Sequence, residues 1–332
     1  MRFSRFGKVY EICNFKNEFW YLIRHSILNY SFLLSENEFE SLKKCISSSK
    51  FVKDFSSLKK AHLVVPDTYS EEKFISTILE RSKMNKPFFN IFYLTFDTKC
   101  NLDCRYCYTE GSIDSKFNHQ VMSKNTLSKI FDFMDEIIKE GRGKYLGEKI
   151  SFIFYGSEPL LHPELFEESL KKMEQLMNSS GIQIEKQLIT NATLLTEDIA
   201  KIIKRYDVNV AVSLDGTKES HNKMRVYSNG KGSYDSTIKG IKALKKCGVP
   251  FSISCTIGSH NIQNLSNCIN FFKDMSAESI GFNLLLDAKI RKLPFVSNFD
   301  ANIALFNSFK KAENKGFFES RVGRKLKSFN TL

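Results

Sequence analysis

The sequence predicts an α/β fold in which parallel strands are covered by helices, arranged as an open sheet or a partial barrel. Three observations carry this. From Phe88 onward, short apolar runs alternate with segments whose apolar residues recur at helical spacing, six times over. Right-handed crossovers between such units make the strands parallel and bring their carboxyl ends to one side. Most of the unusual residues of the chain fall at those ends, where sheets and barrels of this kind hold ligands.

The elements follow in order. Residues 1–86 read as a small separate unit. Lys8–Cys13, Phe19–Arg24 and Ile27–Leu34 are expected as strands. Ser35 is placed to cap a helix running through Cys45, with Glu38 three residues on as the capping-box partner. His62–Pro66 reads as another strand and Tyr69–Ser82 as a linking helix, before a boundary at Met84-Asn85-Lys86-Pro87. The regular part then begins. Strands are expected at Asn90–Phe96, Lys149–Tyr155, Ile184–Thr190, Val208–Leu214, Phe251–Ile257 and Ser279–Leu285. Between them, helices open at Ser123 and Pro163 and run over Thr196–Tyr206, Asp235–Cys247 and Ile262–Met275. Residues 291–332 read as a basic helical connector.

Composition narrows the class. The chain has 332 residues, an ordinary apolar fraction and a formal net charge of +12. No stretch approaches the roughly 18 continuous apolar residues of a membrane span, and the N-terminus lacks the apolar segment of a signal peptide, so a cytoplasmic protein without membrane partners is expected. Lysines are spread along the chain and densest near its end, from Lys310 to Lys327. This fits a solvated basic surface or an acidic protein partner better than nucleic acid.

The eight cysteines are unevenly placed. Without a secretion signal they do not read as a disulfide framework. Cys13, Cys45, Cys247, Cys255 and Cys268 are scattered and read as core thiols, whereas Cys100, Cys104 and Cys107 lie within eight residues, directly after a strand. The C-x3-C-x2-C spacing can bring three thiolates to one metal centre. Cubane iron–sulfur clusters usually take four, so three would leave one iron open to another ligand. The competing zinc knuckle needs a fourth donor nearby, but the next cysteine is Cys247 and the nearest histidine, His119, falls in a loop.

This segment, with Tyr106 before the last cysteine, resembles the cluster loop of the radical S-adenosylmethionine superfamily. The resemblance implies that Cys100, Cys104 and Cys107 hold a [4Fe–4S] cluster whose open iron binds the amino and carboxylate groups of S-adenosylmethionine. Gly156-Ser157-Glu158-Pro159 is similar to the superfamily's G-G-E-P run, with Ser at the second position, and is implied to receive the methionine amino group. Ser213-Leu214-Asp215-Gly216, followed by His221, Arg225 and Gly232-Ser233-Tyr234-Asp235, resembles the peptide- and protein-maturase branch, which includes anaerobic sulfatase-maturating enzymes and thioether-forming maturases. There Ser213 and Arg225 are implied to hold the methionine carboxylate, a guanidinium suiting it through paired hydrogen bonds. Asn191, in Thr-Asn-Ala, is implied to meet the ribose or support the site, and Leu286 to pack on the adenine.

With the resemblance, the fold class becomes a partial (β/α)6, TIM-like barrel over 87–290, preceded by a small N-terminal α+β domain that grips a precursor peptide by strand addition. The expected activity is hydrogen abstraction from a ribosomal peptide or protein side chain, with an acidic flavodoxin or ferredoxin as electron donor. A non-catalytic peptide-binding relative and an enzyme acting on a small molecule are the other readings. Many maturases continue into a cysteine-rich SPASM-type domain. Here no cysteine follows Cys268, which leaves either a truncated chain or a one-cluster enzyme as the expectation.

Overall fold

The computed structural model describes residues 1–13, 19–28, 30–48, 55–84, 90–107, 120–141, 149–285, 296 and 298–319. The described residues fall into two compact units, one within Met1–Lys86 and one within Pro87–Val322.

In the first unit, β1 (Arg2–Phe3) pairs antiparallel with β5 (Val64–Val65), and β2 (Gly7–Cys13), β3 (Phe19–His25) and β4 (Ser31–Ser35) form an antiparallel meander. Helices α1 (Glu36–Ser48), α2 (Ser56–Lys60) and α3 (Glu71–Met84) complete it. The capping box forms as expected: the Ser35 amide donates to the Glu38 carboxylate at 2.7 Å, and the Glu38 amide donates to Ser35 Oγ at 3.4 Å. Ile23, Phe39, Leu42, Leu58 and Leu63 fill the core. Most boundaries shift by one to three residues, and the largest difference is at the third strand. The third strand was expected from Ile27 but starts at Ser31, because His25 Nδ1 accepts the amides of Ile27 and Leu28 at 3.2 and 3.1 Å and holds that stretch as a turn.

The second unit is a seven-stranded parallel sheet whose strands lie side by side in chain order. They are β6 (Ile91–Leu94), β7 (Lys149–Phe154), β8 (Gln183–Thr190), β9 (Val208–Ser213), β10 (Phe251–Ile257), β11 (Ser279–Leu284) and β12 (Phe318–Glu319). The connections carry α4 (Lys124–Gly141), α5 (Pro163–Ser180), α6 (Glu197–Arg205), α7 (Lys218–Met224), α8 (Tyr234–Lys246), α9 (Leu265–Asp274) and α10 (Asn298–Asn314). This singly wound order is that of a partial TIM-like barrel. Burial alternates along β8 and β10. Phe251, Ile253, Cys255 and Ile257 pack with Leu244, Leu265 and Cys268 of the helices in one core. Cys255 therefore belongs to the helix-facing layer, and is buried.

Short elements were not foreseen, among them β1 and α2 of the first unit and α7 and β12 of the second, while the helix expected in the connector forms as α10. Helix α7 is a seven-residue segment inside the Ser213–Asp235 motif region. Strand β12 is two residues long and pairs with β11, and α10 belongs to the same unit, so the stretch read as a connector contributes both to the sheet and to its cover. The basic residues from Arg321 onward lie outside the described residues. None of the described helices is long and apolar enough to cross a membrane.

Candidate cofactor site at the strand ends

The cysteines follow β6. Leu102, 5% exposed, anchors their loop, and two backbone bonds fasten it to the chain leaving α7: Asp103 N to Val226 O at 2.7 Å and Arg105 N to Met224 O at 2.8 Å. The Cys107 amide closes a turn onto Cys104 O at 2.8 Å. Burial pushes the Cys100 thiol up to about 11 and the Cys104 thiol up to about 12; Cys100 also feels the charges of Glu158 and Cys107, and Cys104 those of Arg225, Cys100, Asp215 and Cys107. Such thiols give up their protons when a cationic centre compensates them. Among the described residues, no three His, Cys, Asp or Glu side chains converge tightly enough for a single metal ion. A cubane takes each thiolate on a different iron, so its ligands stand further apart. The three sulfurs fit a cluster with one open iron better than a zinc knuckle.

Facing this loop is Asp215, two residues beyond the end of β9 and 0% exposed. Its Oδ2 accepts from Arg225 Nε at 3.0 Å and from the Tyr106 hydroxyl. Its Oδ1 accepts from an Arg225 terminal nitrogen at 3.2 Å and from the Thr256 amide at 3.0 Å. The Arg225 guanidinium also lies over the Tyr106 ring, 5.3 Å from its centroid. Burial alone would push the Asp215 carboxyl up, but the guanidinium beside it overrides this and holds it well below the usual carboxylate range. His260 adds its ring 3.6 Å from Asp215 Oδ2. The backbone of Arg225 is fixed as well: Ser233 donates to Arg225 O through both its amide and its hydroxyl, at 3.1 and 2.9 Å, and His221 Nε2 stands 3.0 Å from that hydroxyl.

The turn after β7 is built differently. Gly156 has φ +119°, and a Cβ there would come within 2.7 Å of the Thr95 side chain, so this position needs glycine. Ser157 stands where the superfamily run has a second glycine, and its hydroxyl donates to Asp97 O at 2.7 Å, which tucks the side chain against the start of the cysteine loop. Pro159 opens a 3-10 turn capped by Glu158. Glu158 is 1% exposed, and all its partners are neutral: the Thr190 hydroxyl at 2.7 Å and the amides of Leu160 and Asn191 at 3.1 and 2.8 Å. Burial wins here, and the carboxyl is pushed up.

Asn191 braces the cysteine loop. Its Nδ2 donates to Asn101 Oδ1 at 2.9 Å and lies 3.8 Å from Cys100 Sγ, while Thr193 joins Asn101 to Asn191. The next residue, Ala192, has φ 59°, which explains why a glycine suits the third position of this run. Ser213 ends β9, half-buried. The cysteines, Tyr106, Gly156–Pro159, Asn191, Ser213 and Arg225 thus share one end of the sheet, while Leu286 lies outside the described residues. The sequence reading missed Asp215 and His260 as site residues. Asp215 stood in the Ser-Leu-Asp-Gly run and could have been found there; nothing in the sequence marks His260.

Residues 94–272 match the radical SAM superfamily. An uncharacterized protein of Methanocaldococcus jannaschii is 31% identical over 214 residues, covering 64% of this chain and 69% of that protein. The cysteine-type anaerobic sulfatase-maturating enzyme of Clostridium novyi is 28% identical over 190 residues, covering 57% of this chain and 49% of that enzyme. Among solved structures, anSMEcpe with bound AdoMet superposes with a TM-score of 0.59 at 24% identity, over 69% of this chain and 60% of that one. Streptococcus suis SuiB bound to S-adenosylmethionine gives 0.54 at 14% identity, over 96% and 73%. These two speak for the fold. The chain spans about half the length of the sulfatase-maturating relatives it matches. The superfamily match runs from the end of β6 into α9 and takes in the cysteine loop, the Glu158 turn and the Asp215–Arg225 pair, so the chain belongs to the radical SAM superfamily, whose enzymes work with a [4Fe–4S] cluster and S-adenosylmethionine.

Proposed function

We propose that this chain is a radical SAM maturase acting on a side chain of a ribosomally made peptide or protein, with 87–290 as its catalytic core. One observation carries the reading: the three-thiol loop is hydrogen-bonded directly to the segment that presents Arg225, so a cluster and a carboxylate-binding guanidinium share one wall. Cys100, Cys104 and Cys107 hold the cluster. Arg225 and Ser213 take the methionine carboxylate, and Glu158, which has no cationic partner among the described residues, takes the methionine ammonium beside Gly156, Ser157 and Pro159. Asn191 keeps Cys100 and its loop in place. Bound there, the cofactors supply one-electron reductive cleavage of the sulfonium and a 5′-deoxyadenosyl radical that removes a hydrogen atom from the substrate.

Residues 1–86 are the peptide-leader unit in this reading. Strand β4 is an edge of its sheet, and a groove of about 460 Å³ lies along it, lined by Phe32, Leu34, Asn37, Ser41 and Cys45 among others. An extended leader adds to such an edge as a further strand, with side chains in the groove. The relatives named as sulfatase-maturating enzymes, and a SuiB structure bound to its precursor peptide SuiA, support a peptide or protein substrate. The net charge of +12 suits an acidic flavodoxin or ferredoxin as the cytoplasmic electron donor.

The test is anaerobic reconstitution with iron and sulfide, followed by an assay for 5′-deoxyadenosine with a reductant. Cluster absorbance and deoxyadenosine are expected. The absence of both sinks the enzyme reading, and deoxyadenosine that no peptide ever accelerates would favour a small-molecule substrate. Cys104→Ala abolishes the absorbance and the cleavage; a variant that kept both would remove the loop from the site.

A further inference from the structure

We propose that Asp215 is a positioning residue: its buried carboxylate aims the Arg225 guanidinium at the methionine carboxylate and, through Tyr106, ties that guanidinium to the cluster loop. The inference rests on the proposed role of Arg225. The carboxylate is a junction of three chain segments. A carboxylate has about four acceptor places, and here all are filled, two by Arg225, one by Tyr106 of the cysteine loop and one by the Thr256 amide after long separation in sequence. Asp215 is itself held in place, because Asn261 Nδ2 donates to Asp215 O at 3.1 Å and to Thr256 O at 2.8 Å.

The geometry constrains both partners. Arg225 is bound through Nε and one terminal nitrogen, and its other face is covered by the Tyr106 ring, so the guanidinium plane is fixed while the second terminal nitrogen stays outside the pair. An arginine side chain loses much rotamer freedom when it is fixed, and Asp215 makes that loss part of folding rather than of cofactor binding. Tyr106 sits between Cys104 and Cys107, so its hydrogen bond to Asp215 ties the segment that carries both thiols to the ion pair. His260 stands behind the junction. Its side chain is 1% exposed, and neither ring nitrogen has a hydrogen-bond partner among the described residues, so it closes the pocket around Asp215 without replacing any of its donors.

The experiment compares wild type, Asp215→Asn, Asp215→Glu, Tyr106→Phe and Arg225→Ala, each reconstituted anaerobically. Three quantities are read: iron per chain, the dissociation constant of S-adenosylmethionine by equilibrium dialysis, and the change it causes in the electron paramagnetic resonance spectrum of the reduced cluster. Asp215→Asn is expected to keep its iron, to bind S-adenosylmethionine at least about tenfold more weakly and to lose most of the spectral change. Asp215→Glu keeps the charge but not the reach, and falls between. Tyr106→Phe leaves the ion pair whole and costs about threefold. Wild-type affinity in Asp215→Asn overturns the inference, as does equal loss of iron and affinity, which marks a purely structural role. If Asp215→Asn does not fold, unchanged affinity in both Asp215→Glu and Tyr106→Phe overturns it instead. Wild-type affinity in Arg225→Ala refutes the role of Arg225 and this inference together, whereas weakened Arg225→Ala beside unaffected Asp215 variants refutes this inference alone.

Discussion

Glu158 and Asp215 both follow strands of the same sheet, and both are withdrawn from solvent, at 1% and 0% exposure. Each is surrounded by donors, yet the two are driven in opposite directions. Neutral hydroxyl and amide donors leave burial in command at Glu158, and its carboxyl is pushed up. A guanidinium overrides burial at Asp215, and its carboxyl is held down. The difference separates two jobs. Asp215 is a charge already balanced within the fold, which suits a strut. Glu158 is a buried acid with three donors and, among the described residues, no cation, which suits a ligand for an incoming ammonium.

The comparison breaks most readily at Asp215. Removing its charge leaves the Arg225 guanidinium buried without a partner, and loss of one member of such a pair costs about 3–5 kcal/mol. Asp215→Asn in the cluster-free protein should therefore lower the denaturation midpoint markedly, by urea unfolding followed by circular dichroism. A cost no greater than that of Glu158→Gln would erase the distinction.

A second test uses pH. His221 accepts the Asp215 amide at Nδ1, at 3.5 Å, and contacts the Ser233 hydroxyl through Nε2. Burial, together with Arg225 and His260 and against Asp215, pushes its pKa down to about 4. The unfolded chain takes up a proton near the ordinary histidine value of about 6.5, which the folded protein refuses until about 4, so stability falls as pH drops through that window, by at most about 3 kcal/mol. His221→Gln should flatten this part of the stability curve. An unchanged slope would mean that the imidazole behind the Asp215 junction is charged in the fold.

The contrast between the two carboxylates was only partly legible in the sequence. Local signals read well: the cysteine spacing, the alternation of Phe251–Ile257 and the Ser35–Glu38 capping box each act within a few residues. What the sequence hid is long-range pairing. Tyr106 and Asp215 are 109 residues apart, and Asn101 and Asn191 are 90 apart, so neither the strut nor the brace has a local pattern. Glu158 was visible as an acid in a turn, but its lack of a cation depends on Thr190 and Asn191 at the end of the neighbouring strand. Short elements were hidden for a related reason. Two-residue β12 has no periodicity to read, and its existence depends on β11 beside it.

The smallest expected effect bears most closely on Glu158. Glu158→Gln turns one acceptor into a donor facing the Asn191 amide, Thr190 hydroxyl or Leu160 amide, a loss offset in part by removing a buried charge, so at neutral pH the net cost should be about 1 kcal/mol. The sign of its pH dependence is the sharper readout. The folded pKa of Glu158 is raised, so the native carboxyl contributes its stability below the unfolded carboxylate pKa and loses it as pH rises through the folded value. The deficit of Glu158→Gln relative to wild type should therefore be larger at about pH 4 than at about pH 7 by urea unfolding, the reverse of an acid held ionised by a cation such as Asp215. A deficit that shrinks on acidification would mean that Glu158 is already balanced within the fold, and an incoming ammonium would then have no unbalanced charge to meet.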